Sequence, residues 1–210
     1  MTHRPLLSLS AALLALLALH PALHAGPLTV SNHSFESVAL ASPGVGTATG
    51  WTPTGTGGVF RPIVGTHVNS IPDGLQVGYI FGSGQMIQNL GVAVQLGVTY
   101  QLDVYVGTQI NFAGASYLIE LLDGGSNVIA SASGTRQQTD PFVQITASGI
   151  GVGTGNVRVR LSSTGGQPLF DNVRVQTLDP SPGVPEPSTL AFATLGLAAA
   201  FAASRHRRIR

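Results

Sequence analysis

Short runs in which apolar and polar residues alternate recur along the chain. Within residues 99–106 every second residue is apolar, namely Tyr100, Leu102, Val104 and Val106, and the run 156–162 repeats the pattern with Val157, Val159 and Leu161. A period of two is that of a β-strand with one face in a core. The pattern predicts nine strands, at residues 28–32, 75–81, 85–90, 99–106, 117–122, 128–133, 143–148, 156–162 and 169–176.

The segments between these runs are rich in turn-forming residues. The chain has 27 glycines and 13 prolines, and Gly, Asn, Asp and Pro separate the strands. No stretch between residues 26 and 178 carries a helical period of 3.6. Many short strands over about 150 residues are typical of an all-β fold, here an antiparallel β-sandwich of the jelly-roll kind at residues 26–178.

Charge and cysteine content exclude several classes of function. Charged residues make up only 9% of the chain, and between residues 27 and 178 five arginines face seven acids. No basic stripe could neutralise phosphates, so nucleic acid is not an expected partner. The absence of cysteine excludes disulfides, thiolate metal sites and a cysteine nucleophile.

Residues 1–25 have the layout of a secretory signal peptide. His3 and Arg4 precede an apolar run at residues 6–19, and Pro21 comes shortly before a cleavage site predicted after Ala25. Signal peptidase is therefore an expected processing partner. The alternative is a buried N-terminal helix, but the length and the flanking residues favour a signal.

The last 32 residues form three consecutive segments. Residues 179–188 contain four prolines in ten positions, which predicts an extended spacer. Residues 189–204 carry no charge and predict a short transmembrane helix, near the lower length limit for crossing a bilayer. Residues 205–210 are predicted to stay in the cytoplasm because of the positive charges of Arg205, Arg207, Arg208 and Arg210.

The order of these segments resembles the PEP-CTERM sorting signal. Pro185, Glu186, Pro187 and Ser188 supply the motif, and the apolar run and arginine cluster follow it. The resemblance implies recognition by exosortase in a Gram-negative bacterium that makes exopolysaccharide. It also implies transient anchoring in the inner membrane and a final place at the cell surface or in the extracellular matrix. The alternative is a plain single-pass anchor.

Short motifs in residues 26–178 resemble the galactose-binding-like jelly roll of carbohydrate-binding modules. They are Val30-Ser-Asn-His-Ser-Phe-Glu36, Gly50-Trp51, Gly97-Val-Thr-Tyr-Gln-Leu102 and Phe170-Asp-Asn-Val-Arg-Val175, with His33 in place of the usual glycine. The resemblance implies that the first and last strands meet and that Glu36 and Asp171 hold a structural calcium ion. In the alternative, Asp171 caps a turn and Glu36 is solvated.

Sugar binding would use aromatic faces and a few orienting polar groups. The candidate aromatic residues are Trp51, Phe60, Tyr79 and Tyr105, and the polar ones are Arg61, Asn69 and Asp73. The alternative places Trp51 and Tyr79 in the core.

A glycosidase would need two carboxylates that meet, and Glu36, Asp73, Asp103 and Glu120 are the candidates. Asp103 and Glu120, however, are predicted on solvated strand faces. We expect a non-enzymatic, exported protein with a structural or adhesive role in exopolysaccharide. The alternative is a carbohydrate-binding module with a defined glycan, and a glycan-cleaving enzyme is the weaker one.

Overall fold

The computed structural model describes residues 25–112 and 114–178, and these residues form an all-β fold. The ten strands are β1 (Gly26–Leu28), β2 (Gly44–Gly46), β3 (Thr52–Arg61), β4 (Val77–Ala93), β5 (Thr99–Thr108), β6 (Ala115–Leu122), β7 (Val128–Arg136), β8 (Val143–Ile150), β9 (Asn156–Thr164) and β10 (Pro168–Leu178). The predicted signal helix, sorting motif, transmembrane helix and arginine cluster lie outside the described residues. Within the described part, no helix is long and apolar enough to cross a membrane.

The strands pair in antiparallel fashion and form two packed layers. One layer has the order β7-β6-β9-β4, with β3 and β2 continuing beyond β4. The other has the order β8-β5-β10-β1. The first half of β4 also pairs with β10, through Gly78 and Tyr79, and so joins the layers. This arrangement confirms the predicted antiparallel sandwich.

The core lies between the layers and is built from the alternating residues. Tyr100, Leu102, Val104 and Val106 on β5 are buried, as are Val157, Val159 and Leu161 on β9. They pack with Phe35, Trp51, Ile80 and Phe170 in one cluster. The inward-facing positions predicted for these two strands are therefore confirmed.

The structure corrects the strand prediction in three places. Neither β2 nor β3 is among the predicted strands; β3, at residues 52–61, pairs with β4 along most of its length. Its sequence, TPTGTGGVFR, has no apolar alternation because only its last residues reach a core. The runs predicted at 75–81 and 85–90 form one strand, β4, which continues through Gly82 at a φ of 69°.

The third correction concerns the first predicted strand, 28–32. Only Gly26–Leu28 pairs with β10, and the chain turns before Asn32, which has a φ of 50°. The turn brings residues 33–36 alongside β10, where the backbone N–H of Val173 donates to the carbonyl oxygen of His33. The first and last strands therefore meet, as the jelly-roll resemblance implies.

Candidate functional site

The outward side of the layer β8-β5-β10-β1 carries a connected set of polar side chains. Alternation places Gln101, Asp103 and Tyr105 of β5 on this side, opposite the core residues. Strand register places Thr146 and Arg174 directly beside Asp103, on β8 and β10 respectively. We call this surface the Asp103 face; its outward side chains are Gln101, Asp103, Tyr105, Gln144, Thr146, Arg174 and Gln176.

Hydrogen bonds hold the Asp103 carboxylate in a fixed position. The Gln101 amide donates to Asp103 Oδ2 at 2.8 Å, and the Thr146 hydroxyl donates to Oδ1. Burial raises the pKa of Asp103, but hydrogen bonds from Thr146, Gln101 and Gln144 and the charge of Arg174 together hold that pKa below its usual value. Asp103 is therefore a fixed, ionised acceptor at neutral pH.

A cavity opens beside Asp103 at the edge formed by β1 and β10. Its volume is about 470 Å³, and its lining includes Leu28, His33, Asp103, Arg174 and Gln176. The Arg174 guanidinium donates through Nε to Asn172 Oδ1 at 2.9 Å, which orients it on this face. The cavity thus offers an anion, a cation and an amide beside apolar surface, a combination suited to a polar uncharged ligand.

The structure separates the four aromatic candidates for glycan contact. Trp51 is buried in the core, where its ring stacks on Phe35 with centroids 5.6 Å apart. Phe60 is also buried, and half-buried Tyr79 packs against its cluster. Only Tyr105 lies on the Asp103 face. Among the polar candidates, Arg61 donates to the carbonyl oxygen of Leu40 and Asn69 donates to that of Thr139, so neither lies beside Asp103.

The two residues predicted to hold calcium both accept hydrogen bonds from backbone N–H groups of the segment 73–76. Glu36 Oε1 accepts the backbone N–H groups of Leu75 and Gln76 at 2.7 Å and 2.6 Å. Asp171 Oδ2 accepts the N–H of Asp73 at 2.8 Å. Both carboxylates therefore help fix the loop that leads into β4.

Asp171 is fully buried, and its charge is poorly compensated. Burial raises its pKa to about 8, the negative charges of Asp73 and Glu36 add to the rise, and the N–H groups of Asp73 and Asn172 oppose it. Neither of the two salt bridges found among the described residues involves Asp171.

Few side chains around Asp171 could coordinate a cation. Those that could are carboxylates, whose oxygens Ca²⁺ prefers as ligands. In the described part of the chain, no three Asp, Glu, His or Cys side chains are grouped to hold one metal ion. Calcium here would need backbone carbonyls or water to complete its coordination, and the calcium site stays a prediction.

Glu120 does not lie on a solvated strand face, so that prediction was wrong. It is 4% exposed and pairs with Arg160 Nε of β9 at 2.6 Å. This hydrogen bond raises the pKa of Arg160. The four carboxylates considered for glycoside hydrolysis therefore lie in three separate places. Glu120 pairs with Arg160, and Asp103 lies on the Asp103 face. Glu36 and Asp73 lie near Asp171.

Sequence reasoning considered Asp103 only as a glycosidase carboxylate and did not select His33, Arg174 or Gln176 as site residues. The sequence pattern of alternating polar residues on a strand is the same whether their side chains are solvated or bind one another. The available signal was the position of Asp103 and Arg174 on two predicted strands that each bury their other face.

A comparison with known protein families identifies the family to which the sandwich belongs. Residues 26–176 match the HpiC1-like model, described as HpiC1 cyclase. The chain belongs to the HpiC1-like family. The family match covers nearly the whole sandwich, from the start of β1 to residue 176 in β10.

A second match confirms the sorting signal predicted from Pro185, Glu186 and Pro187. Residues 183–208 match the PEP-CTERM protein-sorting motif. The chain is thus an exported protein that exosortase handles at the membrane.

Solved structures with the same fold include an arabinose-bound α-L-arabinofuranosidase, MgGH51, with a TM-score of 0.51, 15% identity and 72% of this chain covered. The tandem CBM22 domain of Xyn10C from Paenibacillus barcinonensis gives a TM-score of 0.52 with 19% identity and 77% of this chain covered. This chain spans 26% of the first and 47% of the second. The likeness confirms the jelly-roll fold. A comparison with curated protein sequences found no match.

Proposed function

We propose that this exported protein binds a neutral polysaccharide on its Asp103 face and thereby adheres to the exopolysaccharide outside the inner membrane. The sorting signal supports the location. The fold supports the binding role, because solved structures that share it include carbohydrate-binding modules.

The fixed Asp103 carboxylate beside the cavity carries the proposal. Sugar hydroxyls bind well to planar, charged or amide groups whose positions are set before the ligand arrives. Asp103 is held by Gln101 and Thr146, and Arg174 lies in register beside it. Tyr105, two residues further along β5, supplies an aromatic ring on the same face.

The structure also favours this face over another concavity on the surface. That one, of about 430 Å³, lies on the other layer and is lined mainly by Ser and Thr hydroxyls, with Gly134 and Leu118. Its lining has no charged group. Its one aromatic residue, Tyr117, is only 9% exposed and belongs to the core cluster.

A glycan array followed by calorimetry on the purified protein tests the proposal. We expect saturable binding of a neutral glycan that Tyr105→Ala and Asp103→Asn both abolish. Phe81→Ala is the matched control, because Phe81 is an exposed aromatic residue on β4, away from the Asp103 face. Binding that survives both face variants, or that Phe81→Ala also removes, would refute the assignment of the site.

An enzymatic role is the competing hypothesis, since the family description names a cyclase. Mass spectrometry of a glycan recovered after prolonged incubation with the protein distinguishes binding alone from catalysis. Unchanged ligand favours binding alone, and any product that depends on Asp103 favours catalysis.

We also propose a structural calcium ion between Glu36 and Asp171. The uncompensated burial of the Asp171 carboxylate beside Asp73 supports it. A thermal melt with and without a chelator is the test, and an unchanged melting temperature would contradict the proposal.

A further inference from the structure

One end of the sandwich is formed by three loops that are joined to one another. They follow β4 (residues 94–98), β6 (residues 123–127) and β8 (residues 151–155). The N–H of Gly151 donates to the carbonyl oxygen of Val98 at 2.8 Å, and the N–H of Gly124 donates to that of Thr154 at 2.8 Å. The loops therefore present one continuous surface.

Large apolar side chains point into solvent from this surface. Leu96 is 71% exposed and Ile150 is 60% exposed. The full set at this end is Val92, Leu96, Val128, Ile150 and Val152, and we call it the apolar end. A cluster of this kind usually marks a contact with another molecule or with a membrane.

The five side chains of the apolar end carry no charge, and the nearby Arg158 guanidinium is held by the carbonyl oxygen of Asp123, to which it donates at 3.0 Å and 2.8 Å. Residues 91–99, 124–133 and 148–156 contain no Asp, Glu, Lys, Arg or His. Asp123, which borders it, is 1% exposed and is held by Asn127, whose amide donates to Oδ2 at 2.8 Å. Contact with lipid is more favourable for an uncharged apolar surface than contact with water or with a charged partner.

The strand register shows where the sorting tail leaves the sandwich. Leu178, the last residue of β10, pairs with Thr99, and Thr99 pairs with Ile150. Neighbouring strands are about 4.8 Å apart, so Leu178 lies roughly 10 Å from Ile150. The tail therefore begins at the apolar end.

The length of the spacer limits how far this end can be from the membrane. Ten residues, 179–188, separate Leu178 from the uncharged run 189–204. Even fully extended, ten residues reach only about 35 Å. While exosortase handles the tail at the membrane, the apolar end thus lies within about 35 Å of the bilayer.

We propose that the apolar end docks on the lipid surface of the inner membrane before the tail is processed. Val92, Leu96, Val128, Ile150 and Val152 enter the interfacial region of the bilayer, and the Asp103 face stays in water. The inference rests on the sorting motif and on the exit point of the tail, and it is independent of the proposed glycan binding.

Single labelled cysteines in the full chain test this docking. The chain has no cysteine, so Leu96→Cys and Ile150→Cys each give one site for an environment-sensitive dye. Val45→Cys is the matched control, since Val45 is 63% exposed on β2, at the end opposite Leu178. Each labelled chain is reconstituted into vesicles of phosphatidylethanolamine and phosphatidylglycerol, with and without nitroxide-labelled lipid.

We expect a blue shift of the dye emission at positions 96 and 150 and loss of that emission with nitroxide lipid, with neither effect at position 45. Vesicles of phosphatidylcholine should give the same result, because the apolar end has no charge to distinguish the lipids. Leu96→Asp should reduce the quenching of a dye at position 150.

Three outcomes would overturn the proposal. Equal quenching at positions 45, 96 and 150 would mean that the sandwich has no preferred end. A blue shift without quenching by nitroxide lipid would mean that protein, such as a second copy of the chain, covers the apolar end. A chain that stays in the aqueous fraction would exclude contact with lipid altogether.

Discussion

The buried carboxylate of Asp171 should make the metal-free protein less stable as the pH rises. Its pKa is about 8 in the folded protein and close to the ordinary aspartate value of 3.8 in the unfolded chain. Between these values the folded state holds a proton that the unfolded state has lost. Stability is therefore full below about pH 4 and falls as the pH rises towards 8.

The size of the loss follows from the shift in pKa. Each pH unit in this interval lowers the free energy of unfolding by about 1.4 kcal/mol. From about pH 5 to about pH 8 the loss is roughly 4 kcal/mol, equivalent to a fall of roughly 10 °C in the melting temperature of a domain of this size. The pKa values of Asp103 and Asp123 are lowered, so these groups do not change the free energy of unfolding with pH in this range.

Calorimetry or circular dichroism in the presence of a chelator measures how the melting temperature changes with pH. Asp171→Asn is the decisive variant, because it keeps the size of the side chain and removes the titration. We expect the variant to melt at nearly the same temperature at about pH 5 and about pH 8. A wild-type melting temperature that is flat, or that rises with pH, would refute the view of Asp171 as an uncompensated buried acid.

Three further predictions concern other parts of the chain. Gly153→Ala should be strongly destabilising in a urea titration, because a Cβ there would lie 1.7 Å from Asp123 Oδ2. Gly97→Ala, at nearly the same φ but with no atom within 4 Å, should cost only about 1 kcal/mol; equal losses would contradict the role of the close contact. Arg160→Ala should lower the free energy of unfolding by roughly 3 kcal/mol, because it leaves the buried Glu120 carboxylate unpaired, and a loss below about 1 kcal/mol would show that water compensates it. Replacing Pro185, Glu186 and Pro187 with alanine should leave export intact but block maturation, and an unchanged mature mass would contradict processing at this motif.

The parts of the fold that could be predicted are those where one strand face is buried. On β5 and β9 every second residue enters the core, so the sequence shows the period directly. β3 could not be predicted in this way, because only Gly58, Val59 and Phe60 near its end are buried. Its pairing with β2 and β4 stabilises it, and pairing leaves no local pattern in the sequence.

The site was less predictable than the fold because it depends on strand register. Asp103 and Arg174 are 71 positions apart, and only the pairing of β5 with β10 places them side by side. Glu120 and Arg160 meet in the same way across β6 and β9. Trp51, in contrast, looked like a ligand platform but packs on Phe35, since a large ring near the start of a short strand serves the core equally well.

The two proposed surfaces are compatible in one orientation of the molecule. Strands β5 and β10 run from the apolar end, at Thr99 and Leu178, to the opposite end, at Thr108 and Pro168. Tyr105 lies six residues from Thr99, roughly 20 Å along the strand. With the apolar end on the bilayer, the Asp103 face would stand to the side, above the lipid headgroups and open to polysaccharide. A chain held for processing could thus already bind glycan, and release of the tail would leave it attached to the matrix rather than to the membrane.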